Sequence, residues 1–559
     1  MLTVEYNKLP NFQHLFLDYI SDKEEAFNKI KPFFFANYKD NEDIFKVIDN
    51  KIHNYNSNRY FDRNALIDIL KRQNVTFGGN ELTATNIELL SDEKTFAVVT
   101  GQQVGLYTGN LYTILKTITA IKLAIKLKQK FSDHNFVPVF WLESEDHDFE
   151  ESNHIKLINK QNELVRIGYP EQAPEEGKNE EEEKKKNAVP VGSMKFDNFI
   201  TELNKQLGDT LIETDFKQKL IEKINTFYAE GSDFKTSFAQ YLNWIFKDYG
   251  LVFIDCSDRE VKKLLTPIFE KELNTSPKMC EAIINTSAEL EKNYDLQVKP
   301  KVINLFFIHN GNRLLIEPRD NNRFALRNSK RRFEHDELLN ILFENPELFS
   351  PNVVLRPICQ DYLLPTVAYV GGPAEISYFA QFKPAYEHYD LTMPVIYPRV
   401  SATIIEGKIN KFLKNYDVKF EDIFNQQKLI SKVVEKLSEI KIDDEFAKLV
   451  DEFNTVFYGL KQVTGSVEKT LALTVDNIKD KLFQNIENLK NKLVNAQAQK
   501  SETTTGQIDK VTNNIYPNYT LQERSINITY FLNKYDDSFI RKLFDELDID
   551  CFMHQVIEM

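Results

Sequence analysis

The chain has 559 residues, of which 42% are hydrophobic and 28% charged, so it is long enough for two to four structural units with ordinary buried cores. A formal charge of −14 excludes a general attraction to nucleic acid or anionic lipid. The four cysteines, Cys256, Cys280, Cys359 and Cys551, stand far apart without metal-ligand spacing, as expected in a reducing compartment.

MLTVEYNKLPNF does not read as a signal peptide, and no stretch is apolar for long enough to cross a bilayer, so the expected setting is the cytoplasm with no membrane partner. The first ninety residues carry apolar positions at helical spacing in EEAFNKIKPFFF and RNALIDILKRQN, broken at Gly78-Gly79-Asn80. TFAVVT (Thr95–Thr100) is a β-branched run that predicts a buried strand. The glycine-bearing loop GQQVGLYTGN follows, then the helical segment LYTILKTITAIKLAIKLKQKF, then a second strand at Phe136–Leu142. Strand, loop, helix, strand is the unit of a parallel sheet with ligand loops at its carboxyl edge.

The run from Tyr169 to about Gly192 is low-complexity and charged, and reads as a surface loop, either a lid or an insertion. Gly250–Asp255 predicts a third core strand, and VINLFFIHNGNRLLIE a hairpin turning at Asn310-Gly311. A second motif-rich region spans Ser350–Thr403. Beyond it, Ile478, Leu482, Ile486, Leu489, Leu493 and Ala496 form an apolar stripe on a lysine- and glutamate-rich helix. Such a stripe needs a partner, either the preceding helix (Phe453, Leu460, Val463, Val467) or a second chain.

Several groups could carry chemistry. Gln102 and Gln103 add amide donors to the glycine loop, while Thr108, Gly109 and Asn110 lead into a helix whose free N–H groups favour an anion; the loop is neither GxGxxG nor Walker A. His147 stands between Asp146 and Asp148 at the end of the second strand, where carboxylates favour its protonated form and suit acid/base work. A metal held there with His154 is the alternative; the expectation is no tightly bound metal. Glu375 and Tyr378 follow the Gly371-Gly372-Pro373 turn and could read an ammonium group. Arg399 and Ser401 sit after the strand MPVIYP, where a guanidinium among hydroxyls suits an anion. Arg323, Arg327, Lys330, Arg331 and Arg332 form a basic cluster that reads as a solvated face.

Taken together, TGQQVGLYTGNLYTILKTITAIKLA, VPVFWLESEDHDFEESNHI, SPNVVLRPICQDYLLPTVAYVGGPAEISYFAQ, MPVIYPRVSAT and LQERSINITYFL resemble the bacillithiol biosynthesis cysteine-adding family, BshC. The resemblance runs in order from about Phe96 to the C-terminus; Thr108-Gly109-Asn110 stands where the family usually has Thr-Gly-Pro. It implies an α/β fold: a Rossmann-like nucleotidyltransferase core with two connecting insertions and an α-helical coiled-coil arm that favours homodimers. The corresponding divisions are 1–155 for the first part of the core, 156–248 for the first insertion and 249–262 for a core strand. They continue with 263–345 for the second insertion, 346–415 for the second part of the core, 416–505 for the arm and 506–559 for a segment returning to the core. It also implies kinship with class I aminoacyl-tRNA synthetases, with Thr108–Asn110 and Arg399–Ser401 in the places of their two signatures. The first lacks histidines and the second lacks lysines.

The implied reaction joins the cysteine carboxylate to the amine of glucosaminyl malate, with ATP and Mg²⁺ as the expected activating pair. In that scheme Gln102, Gln103 and the Asn110 helix start hold an anionic part of the substrate, and Arg399 and Ser401 face the phosphates. Glu375 and Tyr378 read the amino acid, and His147 is the base, set by Asp146 and Asp148. Two alternatives stay open: another nucleotidyltransferase-like amide ligase, and a non-catalytic coiled-coil scaffold. Nucleic acid is not an expected partner.

Overall fold

A computed structural model describes residues 2–57, 63–169, 189–437, 442–499 and 502–559. Most of the charged run, 170–188, lies outside the described residues, and with it the choice between lid and insertion. The core is a five-stranded, all-parallel sheet of β2 (Thr95–Gln103), β3 (Asn135–Glu143), β6 (Val252–Asp255), β12 (Thr366–Gly371) and β13 (Val395–Pro398). Its order is β13-β12-β2-β3-β6. The chain adds strands to one side of β2 and then to the other, so the sheet's topological switch point falls between β2 and β12. In open α/β sheets that is where a ligand crevice forms, outside the carboxyl ends.

These segments are strands because they are continuous β-branched and aromatic runs buried on both faces, as parallel strands require. The helix Tyr112–Lys130 joins β2 to β3, and its Ile114, Leu115, Ile118 and Ile121 are fully or almost fully buried. The predicted strands are all present; β2 runs three residues further than TFAVVT, carrying Gln102 and Gln103 into the sheet edge itself.

Between β3 and β6 lie the antiparallel pair β4 (His154–Ile158) and β5 (Leu164–Gly168) and, among the described residues, the longer helices Phe199–Thr210, Lys217–Phe227 and Phe234–Ile245. Between β6 and β12 the chain makes a second sheet: β7 (Leu305–His309), β8 (Asn312–Arg319), β9 (Arg323–Leu326), β10 (Arg332–Glu334) and β11 (Phe349–Pro351). The β7–β8 hairpin turns at Asn310 and Gly311, both with positive φ, the two-residue turn that Asn-Gly favours. The basic cluster lies here and is solvated: Arg323, Arg327 and Arg331 pair with Glu334, Glu317 and Glu337.

A third sheet joins β1 (Leu2–Val4), β15 (His554–Glu558) and β14 (Ala402–Ile405), so the last strand of the chain lies between the first strand and the one that follows β13. The arm is a helical hairpin of Ile442–Val467 and Lys469–Gln499. Lys490–Asp443, Phe457–Phe483 and Lys461–Asp476 contacts show the antiparallel register. Its seam is Val475, Ile486 and Val494, and not the whole predicted stripe: Ile478 and Leu489 remain 54% and 60% exposed. The stripe lies on one helix as its spacing predicts, but the hairpin register leaves four of its six positions, Ile478, Leu489, Leu493 and Ala496, exposed.

Candidate active site

The carboxyl ends of the central strands line one crevice of about 530 Å³. Gly101, Gln102 and Gln103 enter from β2, Glu143 to His147 from β3 and Cys256 after β6. Gly372 to Glu375 come after β12, and Arg399 after β13. Three stretches separated by up to about 300 residues therefore meet, as the parallel sheet required. A methyl group at Gly101 would meet the Trp141 carbonyl at 2.9 Å, so a side chain there would push β2 and β3 apart.

His147 lines the crevice with its side chain 43% exposed, and its Nδ1 has no hydrogen-bond partner among the described residues. Asp146 Oδ1 lies 3.8 Å from that nitrogen but accepts the backbone N–H groups of His147 (2.6 Å) and Asp148 (3.2 Å). Asp146 thus shapes the turn that presents the imidazole. Asp148 corrects the sequence expectation: its carboxylate caps the short helix Phe149–Ser152 through the Glu151 N–H, and it is not part of the crevice wall. His154 is turned toward Glu150 O and Asn153 Oδ1. Among the described residues no group of three or more His, Cys, Asp and Glu is placed to hold a metal ion.

The glycine loop borders two spaces. Gln102 and Gln103 line both the main crevice and a smaller adjoining cavity of about 110 Å³, whereas Thr108, Gly109 and Asn110 line the smaller one alone. Tyr107, Thr108 and Gly109 all have positive φ, a conformation costly for the first two. The Asn527 amide holds it in place, donating to the carbonyls of Tyr107 (2.7 Å) and Gly109. Leu111, just before the helix, donates its N–H to Ile526 O at 2.9 Å, so the expected open helix start is partly covered by the C-terminal segment.

Glu375 and Tyr378 line the crevice with their polar atoms already engaged. Glu375 accepts from Lys116 Nζ at 2.5 Å, the Gly372 N–H at 2.7 Å and the Tyr369 hydroxyl at 2.6 Å. Burial works against its charge, but Lys116 and these donors more than offset it and hold the carboxyl below its usual range. The Tyr378 hydroxyl accepts from Arg356 at 2.9 Å, and Arg356 also pairs with Glu143 across the crevice floor. Burial raises the Glu143 carboxyl despite that partner.

Arg399 and Ser401 belong to a sealed network. Glu523 accepts from Arg399 Nη2 at 2.6 Å, from Ser401 Oγ at 2.8 Å and from the Ala402 N–H at 2.9 Å. Because the Ser401 hydroxyl donates to Glu523, it accepts from His554 Nδ1 at 2.7 Å, which leaves Nε2 to accept from the Thr403 hydroxyl at 2.9 Å. Nε2 accepts there because the ring is neutral: burial lowers the His554 pKa to about 4. Ser401 is therefore a correction: it is buried behind the crevice, where it braces Glu523, and does not face a ligand.

Sequence reasoning missed Lys116, Arg313 and Arg524, all on the crevice wall. Lys116 is the only one with a local signal, a lysine on the helix face that is otherwise threonine and isoleucine. Arg313 reaches the wall from the second insertion, fixed by Ser350 Oγ (2.9 Å) and Pro351 O (2.6 Å) and stacked on Phe306. Cys256 lies on the wall too, but burial pushes its thiol well up, away from thiolate chemistry.

These features define a Rossmann-like protein with a crevice lined by charged side chains at its switch point and a helical arm. The chain belongs to the bacillithiol biosynthesis BshC family. Residues 2–400 match the model of that family's N-terminal Rossmann-like domain, and residues 402–559 that of its C-terminal coiled-coil domain. Among similar proteins, one from Chloroherpeton thalassium is 38% identical over 95% of this chain and 94% of its own length. One from Salinibacter ruber is 37% identical over 89% of each chain, and one from Flavobacterium psychrophilum 32% over 97% of each. All three bear the name "Putative cysteine ligase BshC". Among the described residues no helix is long and apolar enough to cross a membrane.

Proposed function

We propose that this chain is a cysteine ligase of bacillithiol biosynthesis, forming an amide between the cysteine carboxylate and the amine of glucosaminyl malate in the switch-point crevice. The observation that carries the reading is the convergence of Gln102, Gln103, His147, Glu375 and Arg399 on one wall, in a chain whose relatives are named for this activity.

A carboxylate is a poor electrophile, so it must first be activated, and ATP with Mg²⁺ is the expected means. The residues present leave room for a nucleotide's anionic part: the first residue of the Tyr112–Lys130 helix borders the crevice beside Gln102, and Arg399, already paired with Glu523, lies on the same wall. No protein cage for Mg²⁺ is needed, since that ion is commonly carried by the phosphates themselves. When bound, the pair supplies a leaving group for the carboxyl carbon.

The acceptor amine must lose a proton to attack. The imidazole of His147 is the group to take it, presented at the crevice by the Asp146 turn; its Nδ1 is buried beside Asp146, so the exposed part of the ring meets the amine. The Lys116–Glu375 pair keeps the β12 loop in place and leaves few donors unsatisfied beneath the substrates. The exposed apolar positions of the arm, among them Val463, Val467, Leu473 and Leu489, support association of two chains through that arm.

The test is to incubate the purified full chain with cysteine, glucosaminyl malate, ATP and Mg²⁺ and follow the amide product by mass spectrometry. The bacillithiol mass with consumption of ATP is expected. No product from any nucleoside triphosphate would reject the reading, and product from a different amine would move it to another amide ligase.

A further inference from the structure

The C-terminal segment brings one further charged side chain to the crevice. Around Arg524 almost every neighbour is fastened. Gln522 bonds the Ile404 N–H (2.8 Å) and carbonyl (2.9 Å) and donates to Asn514 O at 2.7 Å. Glu523 holds Arg399, Ser401 and Ala402. Ile526 accepts from Leu111, and Asn527 holds the Tyr107–Gly109 loop and donates its backbone N–H to Lys156 O at 3.0 Å. Between these clamps Arg524 lines the crevice, and its side chain makes no ion pair or hydrogen bond to any described residue.

We infer that Arg524 is a substrate-contacting residue of the crevice, supplied by the coiled-coil domain to complete the Rossmann-like site, and that it receives an oxyanionic group, phosphoryl or carboxylate, of a substrate. The charge balance supports this. Glu523 neutralises Arg399, so the neighbouring Arg524 leaves one uncompensated positive charge at this end of the crevice, near Tyr112 at the start of a 19-residue helix. Burial, with the Arg399 charge second, works against the Arg524 charge. An incoming oxyanion relieves both. The planar fork of a guanidinium suits phosphate and carboxylate geometry, which an ammonium matches less well. Arg399, by contrast, has one arm committed to Glu523 and another to its own Val400 carbonyl.

The inference deepens the proposed ligase reading and rests on it for the identity of the substrates. The test is calorimetric binding of ATP and, separately, of glucosaminyl malate to the full-length chain and to Arg524→Gln and Arg524→Lys. Arg524→Gln is expected to weaken one of the two ligands by about 10- to 100-fold, the loss of a charge-assisted bond. Arg524→Lys should recover part of it, and cysteine binding should be unchanged. Because the side chain has no partner among the described residues, both variants should keep the wild-type melting temperature. The ligand that weakens identifies the group: ATP for phosphoryl, the acceptor for carboxylate. Wild-type affinity of Arg524→Gln for both ligands would overturn the inference, as would a wild-type chain that binds neither. Arg524-dependent binding in a chain that forms no amide would reject the ligase reading and leave the inference standing.

Discussion

Replacing Glu523 by Gln tests whether a buried ion pair organises the late end of the crevice. Arg399 and Glu523 lie 2.6 Å apart with side chains 3% and 1% exposed. Burial alone would raise the Glu523 carboxyl, but Arg399 overrides it and draws the value from 4.5 down to about 2. A depression of that size corresponds to about 3 kcal/mol. The sign follows from proton binding: below the unfolded value the unfolded chain binds the proton that the folded chain refuses. This contribution is therefore complete above about pH 4.5 and lost as pH falls toward 2. A second route gives a similar size, because removing one partner of a buried pair typically costs about 3–5 kcal/mol.

The assay is urea unfolding at pH 7 followed by the fluorescence of the chain's 2 tryptophans, Trp141 in β3 and Trp244, both in the Rossmann-like part. Glu523→Gln should lower the stability reported by that transition by about 3 kcal/mol. The double variant Arg399→Met/Glu523→Gln should cost at least about 1.5 kcal/mol less than the sum of the single variants. A Glu523→Gln cost under about 1 kcal/mol, or additive singles, would show that the pair is not what holds Arg399.

His147→Ala should lower kcat by about 100-fold or more while the melting temperature stays put, since the ring is half exposed and makes no hydrogen bond to a described residue; unchanged turnover removes His147 as the base. His554 is buried neutral with its pKa near 4, so the wild-type chain should lose stability as pH falls from about 6.5 toward 4, where the unfolded chain gains a proton that the folded chain does not. In His554→Gln that slope should flatten, and an unaltered melting-temperature profile between those limits would contradict the neutral assignment. Glutamate at Val463 and Leu489, 65% and 60% exposed, should shift the light-scattering mass from two chains to one; a wild-type chain that is already monomeric refutes association through the arm.

The strands were readable because a parallel strand buried on both faces leaves an unbroken apolar run, as in TFAVVT and FVPVFWL, and because Asn310-Gly311 fits one kind of turn. The position of Gln102, His147 and Arg399 on one crevice also followed from strand-end logic. The orientation of their neighbours did not. Asp148 looked like a partner for His147 because it is adjacent in sequence, yet a helix N-terminus claimed its carboxylate. Ser401 looked like a ligand contact because it follows a strand, yet Glu523, 122 residues away, turned it inward.

The sequence by itself determined which segments are buried, where the chain turns and which family it belongs to, because periodicity and local turn chemistry act over a few residues. Only the tertiary structure decided which charges are spent on each other. Arg356 meets Glu143 across 213 positions and Arg399 meets Glu523 across 124, while Arg524, next in the chain, is left without a partner among the described residues. The reason is physical: an ion pair depends on distance in space, and sequence separation carries no information about that distance until the sheet order has brought the strand ends together.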